Sequence, residues 1–187
     1  SISFGVEVGN EKMLKLVKKG ESLQTIERAI QDAIDVGFDV HLNMMVGFPD
    51  QTVEDIENTF NFALKHSIRW ASFNNAVPYL GTELYDDAKK RGLFIIQPEE
   101  YLNEVGQKAE RIIIATPYIT VKQREYIEKR IPQVQAQIRK KYHIRRLQKE
   151  YGLPGKVVGS LYAHSIIPPT LFDFFIRLHQ QIKTALP

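Results

Sequence analysis

Three short apolar runs, "SISFGVEVGN", "FDVHLNMMVGF" and "WASFNNAVPY", recur in the first half of the chain, and each gives way within a few residues to a helical pattern. Asn10, Ser22, Thr52 and Thr82 stand where a helix N-cap is needed, and Gly20, Gly37 and Gly92 stand where a helix can end. The apolar positions Leu23, Ile26, Ile30, Ala33 and Ile34, and then Ile56, Phe60, Ala63 and Leu64, follow the 3.6-residue period. A β-α-β-α-β-α order with connections this short predicts an α/β fold with a parallel sheet covered by helices.

Residues 93–120 are less periodic, and "ERIIIATPY" reads either as a strand or as a buried connector. Thr120 and Gln123 form a capping box ahead of a long pattern over 121–150, with Ile127, Ile131, Val134, Ile138 and Tyr142 on one face. Pro132 is expected to kink that helix or divide it. "YGLPGK" marks a break, and one or two apolar helices flank "IIPPT" in 156–187. The chain therefore divides into 1–95 (three β/α units), a connector over 96–120 and a helical region over 121–187.

The absence of cysteine excludes a disulfide framework, a thiolate nucleophile and any cysteine-ligated metal centre within these residues. No apolar run reaches the roughly 20 residues of a membrane span, which gives a cytoplasmic expectation. The net charge of +3 conceals a local excess: residues 121–150 carry 10 Lys/Arg against 3 Asp/Glu, whereas 1–120 carry 12 against 18.

Ligands of parallel β/α units sit at the carboxyl ends of the strands. Glu7 occupies a position where a buried strand would prefer valine, so it either faces a ligand or pairs with a neighbouring cation. Gly47-Phe48-Pro49 either lets a flat ligand approach the backbone or makes a plain strand-to-helix turn. Asn74 and Asn75 offer amide donors and acceptors, or are locally bonded turn residues. His41 reads as a core or edge histidine. No His/Asp/Glu set has metal spacing, so neither a metal ligand nor a catalytic residue is assigned.

"FGVEVGNEKMLKLVKKG", "NMMVGFPDQTVEDIENT" and "NNAVPYLGTELYDDAKKRGL" occur in this order and at this spacing. Together they resemble the second half of the radical S-adenosylmethionine (radical SAM) barrel, in the branch whose members often carry a cobalamin-binding domain. The resemblance covers about residues 1–95. It implies a partial TIM-like barrel, with this chain holding the fourth to sixth units of a (β/α)6 barrel, followed by a helical C-terminal region. It also implies that Glu7 and Asn10 bond the ribose or amino acid moiety of S-adenosylmethionine. Met45, Val46, Gly47 and Phe48 would lie against the adenine, with Asn74, Asn75 and Val77 near the same ring. The family's serine after the glutamate is Val8 here.

The family's [4Fe-4S] cluster is held by a Cys-x3-Cys-x2-Cys loop that these residues lack. The resemblance therefore implies a fragment of a larger Fe-S oxidoreductase, inert alone, with cluster ligands and any cobalamin supplied by the rest of the parent. Its expected partners are the remainder of the barrel, an apolar small-molecule substrate, and a second copy paired through an open sheet edge.

The basic stretch 138–149, with Arg139, Lys140, Lys141, Arg145, Arg146 and Lys149, suits either a solvated face or an anionic membrane surface reached peripherally. Nucleic acid is disfavoured, because no aromatic platform accompanies it. Two rivals stand beside the enzyme reading: a non-catalytic interaction module built on that basic helix, and a different barrel enzyme that uses the same strand ends for a phosphate or nucleotide.

Overall fold

In the computed structural model the described residues are 1–103 and 112–164, with 166–168, 170, 171, 174 and 177 beyond them. The strands β1 (Ile2–Glu7), β2 (Val40–Val46) and β3 (Trp70–Asn75) pair in parallel and in sequence order. Between them run α1 (Glu11–Leu16), α2 (Leu23–Val36) and α3 (Val53–Lys65). After β3 come α4 (Glu83–Arg91), the single turn α5 (Pro98–Tyr101) and the long α6 (Val121–Ala163). This mixed α/β arrangement, a three-stranded parallel sheet followed by a helical C-terminal stretch, is the coarse fold expected from the sequence.

The helices start where short polar side chains satisfy otherwise unpaired N–H groups. Asn10 accepts from Met13 N, Ser22 from Thr25 N, Thr52 from Asp55 N and Thr82 from Tyr85 N. Gly37 and Gly92 end α2 and α4 in the left-handed conformation. The expected stop of α1 at Gly20 comes earlier: Val17 is its C-cap and Lys18 already has φ 53°.

The two faces of the sheet differ. Val40, Leu42, Met44 and Val46 of β2 are buried in one core with Ala71 and Phe73 of β3, Ile30 of α2, and Ile56 and Phe60 of α3. Each of these side chains larger than alanine contributes about 1.5–3 kcal/mol on leaving water. The other face carries small polar residues, because the register sets Gly5, Asn43 and Ser72 in one row. Asn43 Nδ2 donates to Ser3 Oγ (3.1 Å), Ser72 Oγ donates to Asn43 Oδ1 (3.1 Å), and Asn74 Nδ2 donates to Ser72 Oγ (3.4 Å). The strands, read from the sequence as apolar runs, thus alternate with period two.

A second, smaller core gathers Ala88, Tyr101, Ile113 and Ile114, with Val77 and Phe94 against it. Here the "IIIATP" run makes only an isolated antiparallel bridge, Phe94 to Ile114, and is a connector rather than a strand. Tyr101 donates its hydroxyl to the Pro78 carbonyl. Burial, reinforced by Tyr85, Tyr79 and Glu99, pushes its pKa up to about 12.

Packing separates Ser1–Ile138 from Arg139–Pro187. The boundary expected at 120/121 therefore marks the start of α6, whose first turns belong to the sheet unit. There Ile127, Val134 and Ile138 join the main core, and Gln135 Nε2 donates to the Ala71 carbonyl on the outer edge of β3 (3.0 Å). Pro132 neither ends nor divides the helix, since the burial on both sides of it holds the same face inward. The break lies at Gly152 (φ 65°, ψ −142°), within the expected "YGLPGK".

In the second unit the segment after Gly152 packs closely on the one before it. A β-carbon at Gly159 would stand 2.9 Å from Ile144 Cα, and one at Gly155 only 2.0 Å from the Leu147 carbonyl oxygen. Of the one or two apolar helices expected over 156–187, the part beyond 177 and several positions before it lie outside the described residues. No helix among the described residues is long and apolar enough to cross a membrane.

Two outcomes follow from this packing. Gly155→Ala is expected to cost about 1–3 kcal/mol in urea unfolding, because backbone rather than a flexible side chain occupies the space. Asp55→Asn is expected to cost about 2 kcal/mol at neutral pH. Burial works to raise the Asp55 pKa, but bonds from Lys12 and from the Thr52 amide and hydroxyl, with the Lys12 charge, hold it below the usual carboxylate value. The stabilisation is therefore complete above the unfolded pKa of about 3.9 and is lost as the pH falls through the lower folded value. The gap between wild type and variant in the denaturation midpoint should close below about pH 4.

Candidate functional site

Each strand ends in a different device. After Val6 the chain makes a tight turn in which Val8 N donates to Val6 O (2.9 Å) around Glu7, whose φ is +71°. A non-glycine residue held in that region costs on the order of 1–3 kcal/mol, and such turns are rare. The same residue breaks the β1–β2 register. Its carboxylate folds back over Gly5, where a β-carbon would come within 2.8 Å of Glu7 Oε1, and it lies 3.5 Å from Lys19 Nζ. Gly9 is needed for another reason, since a β-carbon there would meet Thr59 Cα at 2.5 Å. Val8, where the resemblance expects a serine, is fully buried.

At the end of β2, Gly47 takes φ +86° and its amide donates to Gln51 Oε1 (2.7 Å). The chain then turns into α3 through the capping box of Thr52 and Asp55. The Gly-Phe-Pro stretch is thus a strand-to-helix turn held by the side chain of Gln51, just ahead of the α3 N-cap. Gln51 is itself buried, and its Nε2 has no hydrogen-bond partner among the described residues.

Two hollows flank these ends. The first, of about 420 Å³, is lined by Val46 and Gly47, by Ser72, Asn74 and Asn75 of β3, and by Ile114, Ile127 and Arg124, among others. The second, of about 410 Å³, is lined by Glu7, Met45, Phe48 and Pro49, with Asp50, Glu83 and Asp87 among the residues around it. Arg91 bonds both Asp50 and Asp87, at 3.0–3.1 Å.

The nine residues singled out in the sequence are therefore divided. Val46, Gly47, Asn74 and Asn75 meet in the first hollow, whereas Glu7, Met45 and Phe48 meet in the second. Asn10 lies outside both, with its Oδ1 capping α1 and its Nδ2 donating to Asp55 (3.0 Å). Val77 packs into the second core.

Sequence reasoning missed the α6 wall of the first hollow, formed by Arg124, Glu128 and Gln135 beside Ile127 and Ile131. The available signal was polar residues spaced by four and seven beside the isoleucine stripe. Burial pushes the Arg124 guanidinium below its usual pKa, and the Glu128 charge offsets part of that. Among the described residues no group of three or more His, Cys, Asp or Glu side chains could hold a metal ion.

The sequence model of the radical SAM superfamily matches residues 1–63. An uncharacterized methyltransferase of Pyrococcus horikoshii is 34% identical over 95 residues, covering 51% of this chain and 21% of that protein. The cytidylyl-2-hydroxyethylphosphonate methyltransferase of Streptomyces wedmorensis is 28% identical over 114 residues, covering 57% and 21%. The bacteriochlorophyllide d C-8(2)-methyltransferase of Chlorobaculum tepidum is 28% identical over 101 residues, covering 53% and 22%. The chain thus spans about a fifth of the length of these relatives.

If the left-handed turn at Glu7 is held against its own preference, Glu7→Gly should relieve it. The expected outcome is a gain on the order of 1 kcal/mol in urea unfolding at unchanged m-value.

Proposed function

Because residues 1–63 belong to the radical SAM superfamily, we propose that this chain supplies the distal β/α units of a radical SAM barrel and the surface that seats the adenosyl part of S-adenosylmethionine. The observation that carries this reading is the pair of positive-φ residues, Glu7 and Gly47, that end the first two parallel strands. A backbone cost of this kind persists where a side chain must be aimed. Gly47, Asn74 and Asn75 offer a flat base a bare backbone and amides in the first hollow, with Val46 beside them, while Glu7, Met45 and Phe48 line the second hollow and would serve the ribose side. Asn10 and Val77 contribute by holding the loops, since their side chains are engaged elsewhere.

S-adenosylmethionine would bring a reducible sulfonium, and the role of these residues is to bind and orient its adenosine. The [4Fe-4S] cluster does not fit this chain, which has no cysteine. Its ligands, and any cobalamin, would belong to the rest of a longer protein. All three relatives bear methyltransferase names, and methyl transfer is the reaction we assign to the parent. The rival reading, an interaction module on the basic helix, keeps its exposed charge. It does not keep a free apolar face, because Ile144 and Leu147 pack against the helix after Gly152. Contact with an anionic membrane would then rest on charge alone.

The test is made on the full-length protein after anaerobic reconstitution with iron and sulfide. Its reduced electron paramagnetic resonance signal is expected to shift on adding S-adenosylmethionine. Glu7→Gly should weaken cofactor affinity by about tenfold or more without loss of thermal stability. Unchanged affinity in this variant would remove Glu7 from the site, and failure to form any cluster would sink the enzyme reading.

A further inference from the structure

The α6 wall of the 420 Å³ hollow carries chemistry that an adenine does not require. Arg124, in the first turn of α6, is half-buried, and its Nη2 donates to the Ile114 carbonyl at 3.4 Å. That distance lies beyond the usual range for a good hydrogen bond. Glu128, one turn further on, stands where an ion pair would ordinarily form, yet it is exposed at the rim. Among the described residues no carboxylate comes within salt-bridge distance of the guanidinium.

A guanidinium drawn out of water with one weak partner retains several unspent N–H donors in a fork that matches a carboxylate. Around it Ile112, Ile114, Ile119, Ile127 and Ile131 supply apolar walls. Ser72, Asn74 and Gln135 lie on the same hollow with hydroxyl and amide groups that can fix an orientation. The volume is that of an ordinary small-molecule site.

We propose that the α6 side of this hollow, as distinct from the strand-end side given to the adenine above, binds an apolar molecule through a terminal oxyanion held by Arg124, so that the substrate class is an apolar carboxylate or its phosphonate equivalent. Naming the molecule a substrate rests on the radical SAM reading above; the binding itself does not. Arg124 is here a binding residue, and the isoleucines set the preference for an apolar body. Glu128 at the rim disfavours a second anionic group at the mouth of the hollow.

The experiment titrates the 187-residue chain with octanoate and, separately, with 1-octanol by calorimetry. Octanoate is expected to bind more tightly than octanol. Arg124→Gln should weaken octanoate by about tenfold or more while moving octanol by no more than about twofold. Arg124→Lys, which keeps the charge but loses the fork, should fall between wild type and Arg124→Gln. Octanoate binding that is the same in wild type and Arg124→Gln overturns the proposal, as does a parallel loss of octanol or no octanoate binding to the wild type at millimolar concentration.

Should Arg124→Gln fail to fold, the wild type alone decides. Its octanoate affinity must fall between about 50 mM and about 500 mM salt while that of octanol does not, and a salt-independent octanoate affinity overturns the assignment. Octanoate binding retained alongside failed cofactor binding would sink the radical SAM reading only, and the converse would sink this inference only.

Discussion

Asp55 is a nearly buried carboxylate that accepts hydrogen bonds from two separate loops. Asn10 Nδ2 (3.0 Å) and Lys12 Nζ (2.7 Å) reach it from the segment after β1, and the Thr52 amide and hydroxyl (2.9 and 2.8 Å) from the turn after β2. One helical turn further on, Thr59 accepts from the Gly9 amide and donates to the Asp55 carbonyl, both at 3.0 Å. The ends of the first two strands are therefore fixed to one helix N-terminus, where a negative charge is also favoured by the helix dipole. The strained turn at Glu7 and the left-handed Gly47 both lie close to this clamp in sequence and depend on the loops it holds. Backbone cost at a site persists only where its surroundings over-determine the conformation.

Strand alternation lets one sheet serve two environments. The buried face supplies cohesion through aliphatic and aromatic packing, including the edge-on contact of Phe60 with Phe73 at 5.0 Å. The opposite face presents hydroxyls and amides already bonded to one another across three strands. Its polar groups are thus partly satisfied before anything binds, which lowers the cost of bringing another surface against them.

Much of this architecture was legible in the sequence. The caps at Asn10, Ser22, Thr52 and Thr82, the glycine stops at 37 and 92, and the burial of Ile26, Ile30, Ile56 and Phe60 are local consequences of side-chain chemistry and period. Less was legible at the site. Asp55 has the pattern of an ordinary first-turn acid, and only the long-range approach of Asn10 and Lys12 makes it central. Asn10 and Val77 have side chains suited to ligand contact, but tertiary neighbours claim them. The conformation of Glu7 cannot be read from residue type, because glutamate has no preference for positive φ. Pro132 shows the limit of a breaker rule: a helix tolerates the lost N–H when the residues on both sides are held by a common core. Arg124 was passed over because a helix rich in cations hides the one that is turned inward.

The Gln135 contact with Ala71 bears on self-association. A parallel sheet recruits further strands only through unpaired carbonyl and amide groups at its margins. At the β3 margin one such carbonyl is already taken, and the α6 isoleucines stand beside it. A strand arriving at β3 would have to displace Gln135 from the Ala71 carbonyl and lift the first turns of α6, so a side-chain cap raises the cost of extending the sheet at this margin.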